Sequence, residues 1–296
     1  MSEPTERSGI AYGLGAYITW GLLTIYWKFL EDFNAFELIG WRIITSAIIL
    51  LAILLYNKNL RNPFTALQNK QTRVRIMLAS ILLSINWTTY VWAVVHDQVL
   101  ETALGYFIAP IFTMMIGFIV LGEPIRTSHR FVITLATVAI AVLTYSYGQP
   151  PWRALLIAFS WSIYGYLKKQ IQLTSLESLS AEVLVLILPA IGMVWLTFDR
   201  TDSVANTANA YEWALVLLTG LMTAIPLLMF GAASRRVPLS VLGPMQYLVP
   251  TFNFLLGWLV YSEDLDPLKL LGFALVWVGL VIFFVDSLKS EKLNRS

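Results

Sequence analysis

No cysteine occurs anywhere in the 296 residues, so disulfides and thiolate metal sites are excluded. Two histidines are too few for an imidazole metal cluster. Charge is scarce as well: 13% of residues are Asp, Glu, Lys or Arg, where a soluble domain carries about 25%. No glycine-rich loop ends in Lys and Ser or Thr, so nothing in the chain cradles the phosphates of ATP. Serines inside apolar stretches, such as Ser84 and Ser160, have no histidine partner there. The chain therefore reads as no enzyme, with no cofactor and no metal.

What is present is hydrocarbon. Apolar residues make up 57% of the chain and the mean hydropathy is +0.69. The charges lie between long apolar runs, the pattern of an integral membrane protein with the lipid bilayer as its solvent. The basic residues flank those runs, so the pI near 8.7 does not point to nucleic acid. Met1 to Ser8 lacks the basic region of a cleaved signal peptide. Ten candidate spans fall at 9–28, 36–56, 74–95, 101–121, 128–147, 150–168, 178–197, 211–231, 238–261 and 267–286. Each is close to the roughly 20 residues a helix needs to cross the bilayer. Loops 57–73 and 198–210 are the longest connections, the second expected to lie in solvent. Trp27, Trp152 and Trp213 sit at span ends, where indoles anchor at the lipid interface.

The stretch from Tyr106 to Glu123 recurs 140 positions later, from Gln246 to Glu263. Pro110 falls on Pro250, Phe112 on Phe252, Gly117 on Gly257 and Glu123 on Glu263. Upstream the shift becomes 141, pairing Trp20 with Trp161, Lys28 with Lys169 and Trp41 with Glu182. The chain thus divides into halves at 9–147 and 150–286, five spans each. With the N-terminus inside, fifteen Lys and Arg fall in inside segments and four (Lys28, Arg153, Arg200, Lys269) outside, leaving Arg42 within a span. Both termini are then cytoplasmic. Five is odd, so the second half starts on the opposite face and the repeats have inverted topology, the architecture of alternating access. The fold class expected is an all-α membrane protein of ten transmembrane helices in two inverted five-helix repeats.

Several residues inside the spans could meet a solute. Pro110 and Pro250 each remove a helical hydrogen bond and can kink or hinge a helix, or simply bend it. Pro189, Pro226, Pro244, Gly105, Gly117, Gly243 and Gly257 fit either close packing or a substrate-lining role. Arg42 lies about 9 Å into its span at 1.5 Å per residue. It could serve a solute or gate, pair with an acid, or snorkel outward. Asn86 and Tyr90 share a helix face, with Trp92 nearby, and could bind a polar or aromatic solute or bond between helices. Tyr17 and Thr24 share a face with Trp20, and Tyr164 with Trp161; Tyr106, Gln246, Tyr247 and Asn253 add polar groups in spans four and nine. His96, Asp97 and Glu101 cluster at one turn and could take up coupling protons, or be an exposed turn. Glu123 is expected to pair with Arg126 or Arg130, and Glu263 to act as a cap or an ion-pair partner.

Ala109-Pro-Ile-Phe112, Leu121-Gly-Glu-Pro124, Gly13-Leu-Gly-Ala-Tyr-Ile-Thr-Trp-Gly21, Glu37-Leu-Ile-Gly-Trp-Arg42, Asn86-Trp-Thr-Thr-Tyr-Val-Trp92 and Glu101-Thr-Ala-Leu-Gly-Tyr-Phe-Ile108 resemble the EamA branch of the drug/metabolite transporter superfamily, RarD type. The resemblance spans about 9–286; only Ser262-Glu-Asp264 departs from its Gly-Glu-Pro pattern. It implies a permease of the bacterial inner membrane, a monomer or homodimer, carrying a small metabolite, amino acid or drug-like compound. RarD-type members are described as chloramphenicol-sensitivity permeases. The resemblance also implies a cavity lined by spans one, three, four, six, eight and nine. Here that gives Trp20, Asn86, Tyr90, Tyr106, Trp161, Tyr164, Gln246 and Tyr247, to which Arg42 is added. The rival from another class is a membrane receptor or scaffold that binds a ligand without moving it.

Overall fold

The computed structural model describes residues 3–122, 127–234, 236, 242 and 245–295. Among them the regular structure is all helix: α1 (Glu3–Lys28), α2 (Ala35–Tyr56), α3 (Arg61–Gln68), α4 (Lys70–Val95), α5 (Val99–Leu121), α6 (Thr127–Tyr147), α7 (Trp152–Lys169), α8 (Ser175–Thr197), α9 (Val204–Thr207), α10 (Ala210–Ser234), α11 (Leu248–Leu255) and α12 (Pro267–Arg295). A π-helical turn, Leu256–Val260, continues α11. Glu123, Pro124, Arg126, Arg235, Gly243 and Pro244 lie outside the described residues, and with them the expected pairing of Glu123.

Local chemistry sets the helix starts. Asn34 caps α2 by accepting from the Phe36 N–H at 3.0 Å. Thr174 and Glu177 form a capping box at the start of α8. Gly122 takes the left-handed conformation (φ 66°) that ends α5. Six described helices are long and apolar enough to cross a membrane: Ala35–Tyr56, Lys70–Val95, Val99–Val120, Arg130–Tyr147, Ser175–Thr197 and Ala210–Ala233. Leu248–Val260 and Pro267–Ile282 are shorter apolar helices.

Helix pairing follows a regular scheme. α2 packs on α8, α5 on α11, and α6 on α12. α1 packs on α10 and α11, while α7 packs on α4 and α5. The first three pairs are antiparallel. Asn34, before α2, donates its N–H to the Asp202 carbonyl beyond α8 at 3.0 Å, and Asn62, beyond α2, bonds Glu177 at the start of α8. Glu263, past α11, accepts from the Leu100 N–H at the start of α5 at 2.9 Å. Ser146, ending α6, donates to Asp266 before α12 at 2.8 Å. Lipid tails give helices no hydrophobic reason to associate, so close backbone approach matters. A Cβ on Gly220 of α10 would come within 2.4 Å of the Thr45 carbonyl carbon of α2.

Four expectations need correction. Segment 57–73 is not a plain loop: α3 occupies its middle and α4 begins at Lys70. Segment 198–210 is not simply solvated, because the Val204 N–H is buried and donates to Glu37 at 3.0 Å. Trp27 is no interface anchor; it is 1% exposed and lies inside the bundle. Span nine is broken: Gln246 and Tyr247 form a turn, and α11 starts at Leu248. Pro250 explains the break, since it has no N–H for the Gln246 carbonyl, which the Val249 N–H reaches instead at 3.3 Å. Pro250 therefore sits in the first turn of a helix, where proline is tolerated. Its counterpart Pro110 lies inside α5 and leaves the Tyr106 carbonyl without a helical donor.

Candidate functional site

Two polar clusters tie α1, α4, α5, α7 and α11 together in the apolar interior. In the first, Thr24 of α1 shares a hydrogen with the Tyr90 phenol at 2.8 Å and donates to Asn253 Oδ1 at 2.8 Å. Asn253 Nδ2 in turn reaches Thr102 Oγ1 at 3.2 Å. Thr24 and Asn253 are fully buried. An unpaired polar group would be expensive here, so the network is closed on itself. In the second, the Tyr106 phenol donates to Asn86 Oδ1 at 3.1 Å, while Asn86 Nδ2 donates to the Ile157 carbonyl at 3.1 Å and Ser160 Oγ at 3.2 Å. Asn86 is thus spent on interhelical bonds, and its effect at a solute site is to fix Tyr106. Tyr90 and Tyr106 meet edge-on, 6.0 Å between centroids.

Arg42 sits beside these clusters, 5% exposed. Its guanidinium lies 4.0 Å from the Trp87 ring and 5.4 Å from that of Trp27. Nε donates to Thr223 of α10 at 3.1 Å. The carboxylate partners that buried Arg153 and half-buried Lys168 possess have no counterpart here among the described residues. Arg153 has Glu101 at 2.9 Å and Lys168 has Glu182 at 2.7 Å. Among the described residues no carboxylate forms an ion pair with Arg42. The structure thus removes the acid-pairing option for Arg42. The phenols of Tyr106, Tyr90 and Tyr26 are its electrostatic neighbours.

From this point aromatic rings lead toward one end. Tyr106 meets Trp161 at 6.1 Å, and Trp161 meets Tyr164 at 5.6 Å. Trp161 is 40% exposed, and a Cβ on Gly165, one turn further, would meet nothing within 4 Å. The Tyr164 phenol donates to Glu182 at 3.0 Å. Gln246 is exposed and Tyr247 half-buried at the head of α11. Trp20 meets Tyr17 of α1 and Phe230 of α10 in tilted ring contacts. Of the expected site residues, then, Asn86, Tyr90, Tyr106, Trp161 and Tyr164 form one continuous track, and Trp20 forms a separate aromatic cluster.

The opposite end is tied. Lys28 bonds Asp97 across α1 and α4, bonds Glu31 at 2.6 Å, and lies 5.1 Å over the Tyr261 ring. Glu263 accepts from the backbone N–H groups of both Val99 and Leu100 at the N-terminus of α5, where carboxylates are favoured. Burial pushes its carboxyl up to about 7; those two donors and Lys28 pull the other way, and Asp97 adds to the rise. The group lines a cavity of about 310 Å³ with Asp97, Glu101, Tyr261 and Lys269. The expected His96–Asp97–Glu101 cluster is not one unit. His96 stacks on Trp92 and contacts its carbonyl at 2.8 Å, Asp97 serves Lys28, and Glu101 serves Arg153. Sequence reasoning missed Trp27 and Trp87 beneath Arg42, and missed Glu263 as a cap on a helix of the other half. Arg153, expected in an outside segment, is buried against Glu101.

Long apolar helices tied together by buried polar groups mark a multi-pass membrane protein. The chain matches the EamA-like transporter family over residues 7–145 and 152–285, and it belongs to that family, within it to the RarD type. Protein RarD of Streptomyces exfoliatus is 41% identical, over 100% of this chain and 94% of its own. The uncharacterized transporter YojE of Bacillus subtilis is 32% identical over 100% of both, and Protein RarD of Escherichia coli is 30% identical over 99% of both. One solved crystal structure of a protein superposes with a TM-score of 0.58 over 93% of this chain and 96% of its own; at 15% identity it speaks to the fold alone.

Proposed function

We propose that the protein is a secondary transporter of the bacterial inner membrane. It moves a small metabolite, amino acid or drug-like compound by rocking two inverted five-helix halves, 9–147 and 150–286, about a shared pocket. The antiparallel seating of α2 on α8, α5 on α11 and α6 on α12 carries this reading. Each of these helices lies start-to-end against its own repeat counterpart, the arrangement two inverted repeats would produce about an axis in the membrane plane. The remaining contacts support it, because α1 on α10 and α1 on α11 have α7 on α4 and α7 on α5 as their repeat equivalents.

In the orientation favoured by the basic residues, both termini are cytoplasmic, the Lys28–Asp97 end faces outward and is shut, and the Trp161 end opens inward. Substrate would be lined by Trp20, Arg42, Tyr90, Tyr106, Trp161, Tyr164, Gln246 and Tyr247, with Asn86 positioning Tyr106. Pro110 is the better hinge candidate of the proline pair, since it alone interrupts a helix interior. The natural absence of cysteine makes a direct test simple. Single cysteines replace Gly165, on the open face, and Thr24, fully buried beneath the outer ties. Without solute, Gly165→Cys should react with an impermeant maleimide from the cytoplasmic side and Thr24→Cys from neither side. During turnover Thr24→Cys should become reactive from outside as Gly165→Cys becomes protected. A receptor or scaffold would leave both rates unchanged when ligand is added.

A further inference from the structure

We propose that Arg42 binds an anionic group of the transported solute, so that the pocket selects small organic anions over their neutral analogues. The inference rests on the transport reading for its cargo, and on the following geometry for its chemistry. Arg42 is seven residues inside α2 and buried, whereas Arg153, the other buried cation among the described residues, has a carboxylate partner. A bare cation at this depth is costly, and the residues that carry one face a partner or a cavity. Two indoles and one threonine hydroxyl only partly offset that cost; cation–π contacts are worth ~0.5–2 kcal/mol. Nε is taken by Thr223, and among the described residues the two terminal nitrogens have no protein acceptor and are not fully occluded. They therefore reach accessible space. A guanidinium with two free, parallel N–H vectors matches a carboxylate oxygen pair.

The surroundings define the rest of the ligand. Trp87 and Trp27 flank the guanidinium, and Tyr90 and Tyr106 lead from it toward the exposed Trp161. An anion arriving by this track would slide its apolar part along aromatic faces and seat its charge at Arg42. Acids of the interior and of the tied end are engaged elsewhere. Glu37 bonds the Trp41 indole and the Val204 N–H, Glu101 bonds Arg153, and Glu263 bonds the start of α5. None would compete for the guanidinium without abandoning those bonds.

The test measures binding and stability before transport. Purified protein is heated with benzoate, phenylacetate, succinate or inorganic phosphate, and with the neutral amides of the three carboxylates. At least one anion should raise the unfolding temperature of the wild type by several degrees, and its amide should not. Arg42→Gln should weaken that anion's binding roughly 10- to 100-fold, the range of a charged hydrogen-bond pair. Arg42→Lys, which keeps the charge, should retain part of it. Without ligand, Arg42→Gln should unfold at the same temperature as the wild type or higher, because an uncompensated charge has been removed; a structural role predicts a fall. The proposal is overturned if no anion of the panel shifts the wild type, if amides shift it equally, or if Arg42→Gln binds the anion as well. An anion that binds through Arg42 yet is not carried into proteoliposomes would overturn the transport reading and leave this one standing.

Discussion

Replacing Lys168 with Met is expected to lower the unfolding free energy by about 3 kcal/mol, while the double variant Lys168→Met, Glu182→Leu recovers most of the loss. The first value is at the low end of the ~3–5 kcal/mol seen when a buried pair loses one partner. Glu182 is fully buried and would be left without its counter-ion. Its loss is moderated because the Tyr164 phenol at 3.0 Å and the Ser178 hydroxyl at 2.9 Å still donate to it. Were the pair exposed, the expected effect would be about 0–1 kcal/mol, so magnitude alone distinguishes the two cases. Removing both charges leaves no buried ion, and such replacements are often neutral. Denaturant unfolding of the two single variants and the double variant in detergent gives the coupling directly. A Lys168→Met loss below ~1 kcal/mol would place Glu182 in contact with water. Tyr164 is held through Glu182 and lies on the aromatic track, so the singles should slow turnover more than the double does.

The second large effect concerns pH. Closure of the outer end should be strongest in acid and weaken as pH rises through about 4.5 to 7. The sign follows from Glu263. Its carboxyl lies at about 7 when packed on α5, above the ordinary value of 4.5, chiefly through burial. A raised carboxyl takes up a proton when the tied arrangement forms, so protonation favours that arrangement. The contribution is complete below the free value, shrinks between the two values, and is gone above the higher one. The groups facing Glu263 are Lys28 from α1, Asp97 from the turn between α4 and α5, Glu101 and Tyr147 from α5 and α6, and Tyr261, Asp264 and Lys269 from its own end of the chain. Lys28 opposes the rise and Asp97 reinforces it. The full window corresponds to a change on the order of a hundredfold in the closed-to-open ratio. During turnover, labelling of Thr24→Cys from outside should therefore accelerate from pH 5 to pH 8. Dividing each rate by that of Thr24→Cys, Glu263→Gln at the same pH cancels thiol ionisation, since the glutamine mimics the protonated acid. A flat ratio across the range would remove Glu263 from the gate. If protons drive transport, this carboxyl is better placed to carry them than His96, Asp97 and Glu101, which the fold separates.

Much of the architecture was readable in the chain because hydrocarbon leaves little choice. Runs of about 20 apolar residues can only be helices there, and nine of the expected spans lie on long helices with ends shifted by a few residues. The proposed repeat rests on proline, glycine and glutamate, which are uncommon enough in such runs for Pro110–Pro250 and Gly117–Gly257 to register. α3 was missed for a different reason. Its Lys- and Arg-flanked segment has too few apolar residues to resemble a span, although Pro63 and Phe64 already hint at an amphipathic turn. The site was readable in kind and less so in its wiring. Arg42 stood out by depth alone, but its lack of an acid partner depends on where Glu37, Glu101 and Glu182 fold. Trp27 has the sequence position of an interface anchor; only its packing under Arg42 gives it another role. Glu263 caps a helix that begins 164 residues earlier, a relation set by how the halves dock and by no local pattern.

The inversion of the two halves is tested most directly at Glu31 and Gln172, which follow α1 and α7, correspond at the 141-residue shift and are both exposed. Each is replaced singly by cysteine, and cells are treated with an impermeant maleimide before and after permeabilisation. Glu31→Cys should label on intact cells and Gln172→Cys only after the membrane is opened. Labelling of both from the same face would mean that the halves run the same way, and the alternating mechanism would have no structural basis.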